Sequence, residues 1–303
     1  MHARTIGRPT ADSPARLPLP FDAPVSTAKT TIFRFAGALA LAFATTASVG
    51  AQTTDLVFAV TEGVTYQATP KDIRDKFEPL VEVIGRALQR KVRLVLVPAY
   101  NDLRVGLASQ EYDVAFIHPA HVAMAEIKTG RYQSVAWTAG YTEYTVSLMS
   151  KPDQPYKELK DVKGTVLVTP DPDSITAVMV RAMLKSQNFG AKDVKVITTR
   201  YQDAVPFYLE YDFAQVGATA ANAVVKEWTA KGGKVFARSR SVPIKQIVMS
   251  SRYAPDERNK LRDALIALSQ NDAGRRALAV SGYKGFVAPD QALEVSTIAW
   301  LGL

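Results

Sequence analysis

The 303-residue chain contains no cysteine. A disulfide framework, a thiolate metal centre and lipid attachment at an N-terminal cysteine are thereby excluded, so an exported form of this chain must be held by its apolar core alone. Histidine is nearly as scarce, with only His2, His118 and His121. There is no GxSxG elbow, no GxxxxGKS phosphate loop and no HExxH pair, so the usual hydrolase arrangements are missing and catalysis is not expected. The 37 Lys and Arg and 29 Asp and Glu are scattered, without a basic patch interleaved with aromatics. That argues against a nucleic-acid surface and leaves a mild preference for an anionic small ligand.

A long hydrophobic run is also lacking. The most apolar stretch, FAGALALAFA at 35–44, is shorter than a bilayer span requires, and no stop-transfer cluster follows it. It is preceded by Lys29 and Arg34 and followed by small residues ending in VGA, which is the layout of a secretory signal cleaved after Ala51. A membrane anchor is the competing reading. Residues 1–28 are proline-rich and carry no apolar period, so 1–51 are set aside from the fold, and their unusual length is consistent with a start later than Met1. Loss of this segment removes Arg4, Arg8, Arg16, Lys29 and Arg34 against Asp12 and Asp22, leaving the exported chain mildly basic.

What is present is an alternation of strand and helix patterns. DLVFAV opens the series, and a helix is predicted from Thr69 and Pro70, with Ile73, Phe77, Leu80, Ile84 and Leu88 on one face. Pro79 predicts a kink or restart. Strand KVRLVLV, a helix over 102–110, strand YDVAFI and helix PAHVAMAEIKT follow, the last with Pro119 in its first turn and Gly130 as its stop. This order predicts a parallel sheet. A second series runs through GTVLVT, the loop DPDS, a helix from Ile175 and strand VKVITT. YND (100–102) and YQD (201–203) lead into EYDVAF and EYDFAQ, so the pattern reads as two similar α/β lobes, with Gly217 at the position of His118. The apolar segments YTVSLMS (144–150) and VPIKQIVMS (242–250) read as two crossovers forming a hinge.

FEPLVEVIGRALQRKV, YNDLRVGLASQEYDVAFIHPAHVAMAE, DPDSITA and the stretch from SVPIKQIVMS to FVAPD together resemble the periplasmic solute-binding components of ABC importers for phosphate, phosphite and phosphonates. The resemblance implies a two-lobed type II periplasmic binding protein fold, each lobe a mixed, mostly parallel sheet flanked by helices. Lobe one is expected over 52–145 plus 245–303 and lobe two over 146–244. It further implies an oxyanion held between the lobes. DPDSITA occupies the place of the family's DPxSTSG pattern, which puts Ser174 and Thr176 at the anion, with isoleucine and alanine replacing one hydroxyl and the glycine. A helix start supplies unpaired amides and a partial positive charge, although serine is also a plain helix cap. His118 and His121 fall at a helix start facing the cleft, Tyr66, Tyr144 and Ser147 fall near other cleft-facing strand ends, and Gly217 falls at the lobe-two turn. Asp171 or Glu62 would be placed to meet a ligand ammonium.

Three alternatives stay open. His118 and His121 could bind a metal ion with Glu126 or Glu62, though HxxH spacing beside a proline is weakly diagnostic. A core-packing role for Tyr144 is as reasonable as ligand contact. The partner of such a protein could be an ABC permease or a sensor kinase ectodomain. The expectation is a monomeric periplasmic protein without cofactor that captures phosphate, phosphite or a phosphonate.

Overall fold

The computed structural model describes residues 55–62 and 69–303. Tyr66 and the expected export segment lie outside them. Two sheets form. In the first, β1 (Leu56–Thr61) runs parallel to β2 (Val92–Leu96) and β3 (Val114–Ile117), as the alternating strand and helix pattern predicts. The later strand β10 (Gln246–Ser250) inserts antiparallel between β3 and β4 (Tyr132–Thr138), and β11 (Phe286–Val287) closes the far edge. The second sheet has the order β7 (Lys195–Thr198), β6 (Val166–Thr169), β8 (Val216–Thr219), β5 (Ser147–Ser150), β9 (Lys234–Arg238). Here β6 is parallel to β7 and β8, while β5 is antiparallel to both its neighbours.

The chain passes between the sheets twice, and the two passages pair with each other. Tyr144 and Val242 exchange both backbone hydrogen bonds at 3.0 Å, and the Ile244 amide donates to the Tyr141 carbonyl at 3.0 Å. The hinge is therefore a two-stranded antiparallel ribbon.

Helix α1 (Pro70–Leu88) is capped by a reciprocal Thr69–Asp72 box and runs through Pro79 without a restart. The carbonyl freed by Pro79 belongs to the exposed Asp75, so water can satisfy it. Its apolar stripe places Phe77, Leu80 and Ile84 against Phe58 and Phe116 in the core of the first sheet. Each such fully buried side chain contributes about 1.5–3 kcal/mol. Helices α2 (Tyr100–Ala108) and α3 (His121–Lys128) cover the first sheet, and α4 (Ile175–Ser186), α5 (Val205–Glu210) and α6 (Asn222–Ala230) cover the second. Pro119 lies before α3 rather than inside its first turn. After β10 come α7 (Pro255–Ala267), α8 (Asp272–Ser281) and α9 (Gln291–Leu301). Helix α9 packs on both α3 and α4, and its Ile298 and Leu301 join the second sheet's core together with Ala120 and Met124.

The internal repeat is real, but its register is not that of the EYD letters. Asp113 accepts from the Val57 amide (2.7 Å) and Gln215 accepts from the Val166 amide (2.9 Å), each at the entrance of its sheet. Gln110 and Asp212 share the left-handed backbone conformation, and Leu107 and Leu209 are both buried. All three pairs are 102 residues apart, whereas the EYD triplets are 99 apart. Gly217 therefore matches Ala115 inside a strand, and His118 matches Ala220. A Cβ at 217 would lie 2.6 Å from Val205 Cγ1 and 3.0 Å from Leu209 Cδ1, so this glycine admits α5 onto β8 instead of forming a ligand-binding turn. Gly217→Ala is accordingly expected to cost about 1–3 kcal/mol of stability in urea unfolding while leaving ligand affinity unchanged.

Candidate functional site

Strands β1 and β3 end side by side, where the His118 amide donates to the Thr61 carbonyl at 3.1 Å. The turn that follows is held by the return passage of the hinge. The Ile244 carbonyl accepts from the Ala120 amide (2.9 Å) and lies 3.1 Å from His118 Nδ1, which fixes the proton of a neutral imidazole on Nδ1. Burial, helped by the nearby Lys245 charge, lowers the His118 pKa to about 4 against the opposing pull of the Ile244 carbonyl and Glu62.

Below this turn sits a charged cluster. Lys245, 3% exposed, lies 3.5 Å from Glu62 and over the rings of Tyr141 (4.5 Å) and Tyr283 (5.3 Å). Lys76 reaches Glu62 at 2.5 Å, and the Tyr283 hydroxyl donates to the same carboxylate. Burial on its own would raise the Glu62 pKa, but Lys245, Lys76 and Tyr283 together bring it below the usual value. Burial likewise lowers that of Lys245, with Glu62 opposing.

The other wall comes from the second sheet. Ser174 is the N-cap of α4, its hydroxyl accepting from the Ala177 amide at 3.2 Å. Thr176, fully buried, shares a 2.9 Å hydrogen bond with the Tyr144 hydroxyl. Gln202 donates to that hydroxyl (3.3 Å), while its carbonyl accepts from Thr219 (3.0 Å) and the Ala220 amide (2.6 Å). Burial raises the Tyr144 pKa, so the phenol stays protonated and able to donate.

These walls enclose a cavity of about 270 Å3 lined by His118, Tyr141, Tyr144, Gln202, Asn222 and Ile244, among others. Of the residues singled out by sequence, His118 and Tyr144 line it directly, Thr176 reaches it through Tyr144, and Ser174 caps α4 without lining it. The rest are placed elsewhere. Ser147 lies within β5, its hydroxyl accepting from Arg238 at 2.7 Å. Asp171 accepts from the Asp173 amide (2.8 Å) in its own turn and lines a different cavity with Asn101 and Arg200. His121 lines a third cavity, so the two histidines do not converge, and among the described residues no group of three His, Asp or Glu could hold a metal ion. Sequence reasoning missed Gln202, Asn222 and Lys245. The signals available were the YND and YQD tripeptides, which align Gln202 with Asn101, and the lone lysine in the apolar run VPIKQIVMS.

Two lobes joined by a paired hinge, with a small polar cavity beside it, suit the capture of a small ligand. A profile of the family described as ABC transporter, phosphonate, periplasmic substrate-binding protein matches residues 63–293. The chain belongs to that family of substrate-binding components and is not an enzyme. Membership implies a periplasmic location; among the described residues no helix is long and apolar enough to cross a membrane. The fold is similar to that of XAC2383 from Xanthomonas citri bound to ATP (14% identity, 82% of this chain and 98% of that one, TM-score 0.67). It is also similar to PhnD1 from Prochlorococcus marinus in complex with methylphosphonate (13%, 82% and 96%, TM-score 0.57). A binding protein component of an ABC phosphonate transporter from Pseudomonas aeruginosa gives 17% identity, 81% and 84% coverage and a TM-score of 0.55. At these identities the likeness is one of fold. Comparison with curated protein sequences finds no match.

The buried histidines carry a pH signature. The folded-state pKa values, about 4 for His118 and about 3 for His121, lie below the ordinary 6.5, so between these limits the unfolded chain binds more protons. Their contribution to stability is fully present above pH 6.5 and declines as pH falls toward 4 and 3, by up to about 1.4 kcal/mol per pH unit for each histidine. Urea unfolding at pH 7, 5.5 and 4.5 is expected to show this loss, with a shallower slope in His121→Gln.

Proposed function

We propose that the cavity beside the hinge captures a small phosphorus oxyanion, with a phosphonate the foremost candidate, and that the protein acts as a monomer delivering it to an ABC permease. The observation that carries this reading is the convergence of neutral hydrogen-bonding groups on a small interlobe cavity, the Tyr144 phenol, the Gln202 and Asn222 amides and the neutral His118, with the exposed Glu143 as its one carboxylate among the lining residues. Such donors orient an anion without leaving an unpaired buried cation when the ligand departs. Lys245 and Lys76 both meet the Glu62 carboxylate in the cluster adjoining the cavity. Lobes of residues 52–145 plus 245–303 and 146–244 close about the paired crossovers, and export follows cleavage after Ala51.

Calorimetry against methylphosphonate, phosphite, phosphate, sulfate and methanesulfonate tests the ligand class. Saturable binding of at least one phosphorus anion is expected; binding only of an amino acid or an organic cation would overturn it. Tyr144→Phe is expected to weaken binding roughly tenfold, because Thr176 and Gln202 lose the hydroxyl that links them to the cavity. N-terminal sequencing of the exported protein should begin at Gln52.

A further inference from the structure

The hydrogen bonds behind the cavity have a direction that starts at the backbone, where it cannot reverse. Past the end of β8 the Ala221 amide donates to the Thr219 hydroxyl oxygen at 3.2 Å, and that hydroxyl in turn donates to Gln202 Oε1 at 3.0 Å. The Ala220 amide donates to the same Gln202 oxygen at 2.6 Å. A backbone N–H is only a donor, so the atom facing it is the side-chain carbonyl, and the amide nitrogen of Gln202 is the atom turned to the Tyr144 hydroxyl at 3.3 Å. Gln202 therefore donates to the phenol oxygen.

Thr176 reaches the same oxygen from α4 at 2.9 Å, a contact in which either hydroxyl could be the donor. Its burial decides between them. Thr176 is fully buried, and Tyr144 is the only hydrogen-bond partner of its hydroxyl among the described residues. Were Tyr144 the donor, the Thr176 proton would be stranded away from water, at the full cost of an unpaired buried donor. With Thr176 as donor, the phenol oxygen accepts twice and its own proton is left for the cavity that Tyr144 lines. Solvent can take that proton until a ligand does.

We infer that Gln202 and Thr176 together make Tyr144 an obligate hydrogen-bond donor to the ligand, so that the cavity selects at this point for a bare, charged oxygen and against an ammonium group. Gln202 is a positioning residue: it passes the fixed polarity of the Ala220 amide through its side chain to the phenol. A charged oxygen accepts from the phenol more strongly than a neutral one, whereas an ammonium has only hydrogens to offer and would set them against the phenol proton. The inference rests on the cavity being an oxyanion site and narrows the ligands to those that turn an unprotonated oxygen to Tyr144. Gln202→Glu keeps the side chain's shape and its acceptor for Ala220 but replaces the donor by a second acceptor, which draws the phenol proton out of the cavity.

Neutron diffraction from deuterium-exchanged crystals of the ligand-free protein at pH 7 reads this polarity directly. The Thr176 deuterium is expected to point at the Tyr144 oxygen and the Tyr144 deuterium into the cavity; a Tyr144 deuterium on the line to Thr176 would overturn the inference. In crystals of Gln202→Glu the Tyr144 deuterium should turn to the introduced carboxylate, and one that still points into the cavity would remove Gln202 from the role. In solution, Tyr144 is replaced by mono- and difluorotyrosine, whose phenols are progressively more acidic, and the affinities for methylphosphonate, phosphite and phosphate are measured by calorimetry at pH 6. A donating phenol binds about twofold tighter or more at each step, and affinity that falls as acidity rises would also overturn the inference. Binding of none of these anions would instead overturn the reading of the cavity, with the deuterium positions still deciding the polarity.

Discussion

The carbonyl of Ile244 is the point on which the site depends. It lies on the return passage of the hinge, and its oxygen holds both the Ala120 amide and His118 Nδ1. The two residues that follow it extend this hold, since Lys245 meets Glu62 beneath the cavity and the Gln246 side chain donates to the Ala120 carbonyl at 3.3 Å. Three consecutive residues therefore fix the imidazole's tautomer, the charge below it and the start of α3. Because Ile244 also belongs to the hinge ribbon, movement of one lobe relative to the other bears directly on the geometry of the turn that contains His118.

The electrostatics separates charge from contact. Full charges are gathered in the Glu62 cluster, where desolvation is offset by two lysines, a phenol and two aromatic faces. The buried part of the cavity wall carries neutral dipoles, and its carboxylate, Glu143, stays exposed to water. A charge placed directly at the wall would stay desolvated when the lobes close without ligand, whereas a hydroxyl network such as Thr176–Tyr144–Gln202 satisfies itself in the meantime.

The fold was more legible than the site. Strand runs such as VAFI and the α1 stripe follow from local periodicity, and the crossovers stand out as extended apolar segments with no helical partner of their own. Helix α9 went unread, although Asp290 caps its start and the left-handed Gly302 ends it. The letters EYD misled the repeat because the duty of Asp113 passes in the second lobe to Gln215, three residues beyond Asp212. The same slip assigned Gly217 to a turn. Ser147 and His121 show a further limit: residues close in sequence to a cleft can face a sheet or another cavity, because three-dimensional direction is settled by the packing of α3, α4 and β5, not by residue type.

The insertion of β10 between β3 and β4 also has consequences for how the molecule is made. The second sheet draws all its strands from one continuous stretch, Ser147 to Arg238, so its pairings are available as soon as that stretch exists. In the first sheet, β3 and β4 stay apart, each with an open edge, until a strand more than a hundred residues later arrives to bridge them. Contacts of such separation are slow to form, so the first lobe completes last and its exposed edges are the chain's period of vulnerability to mispairing.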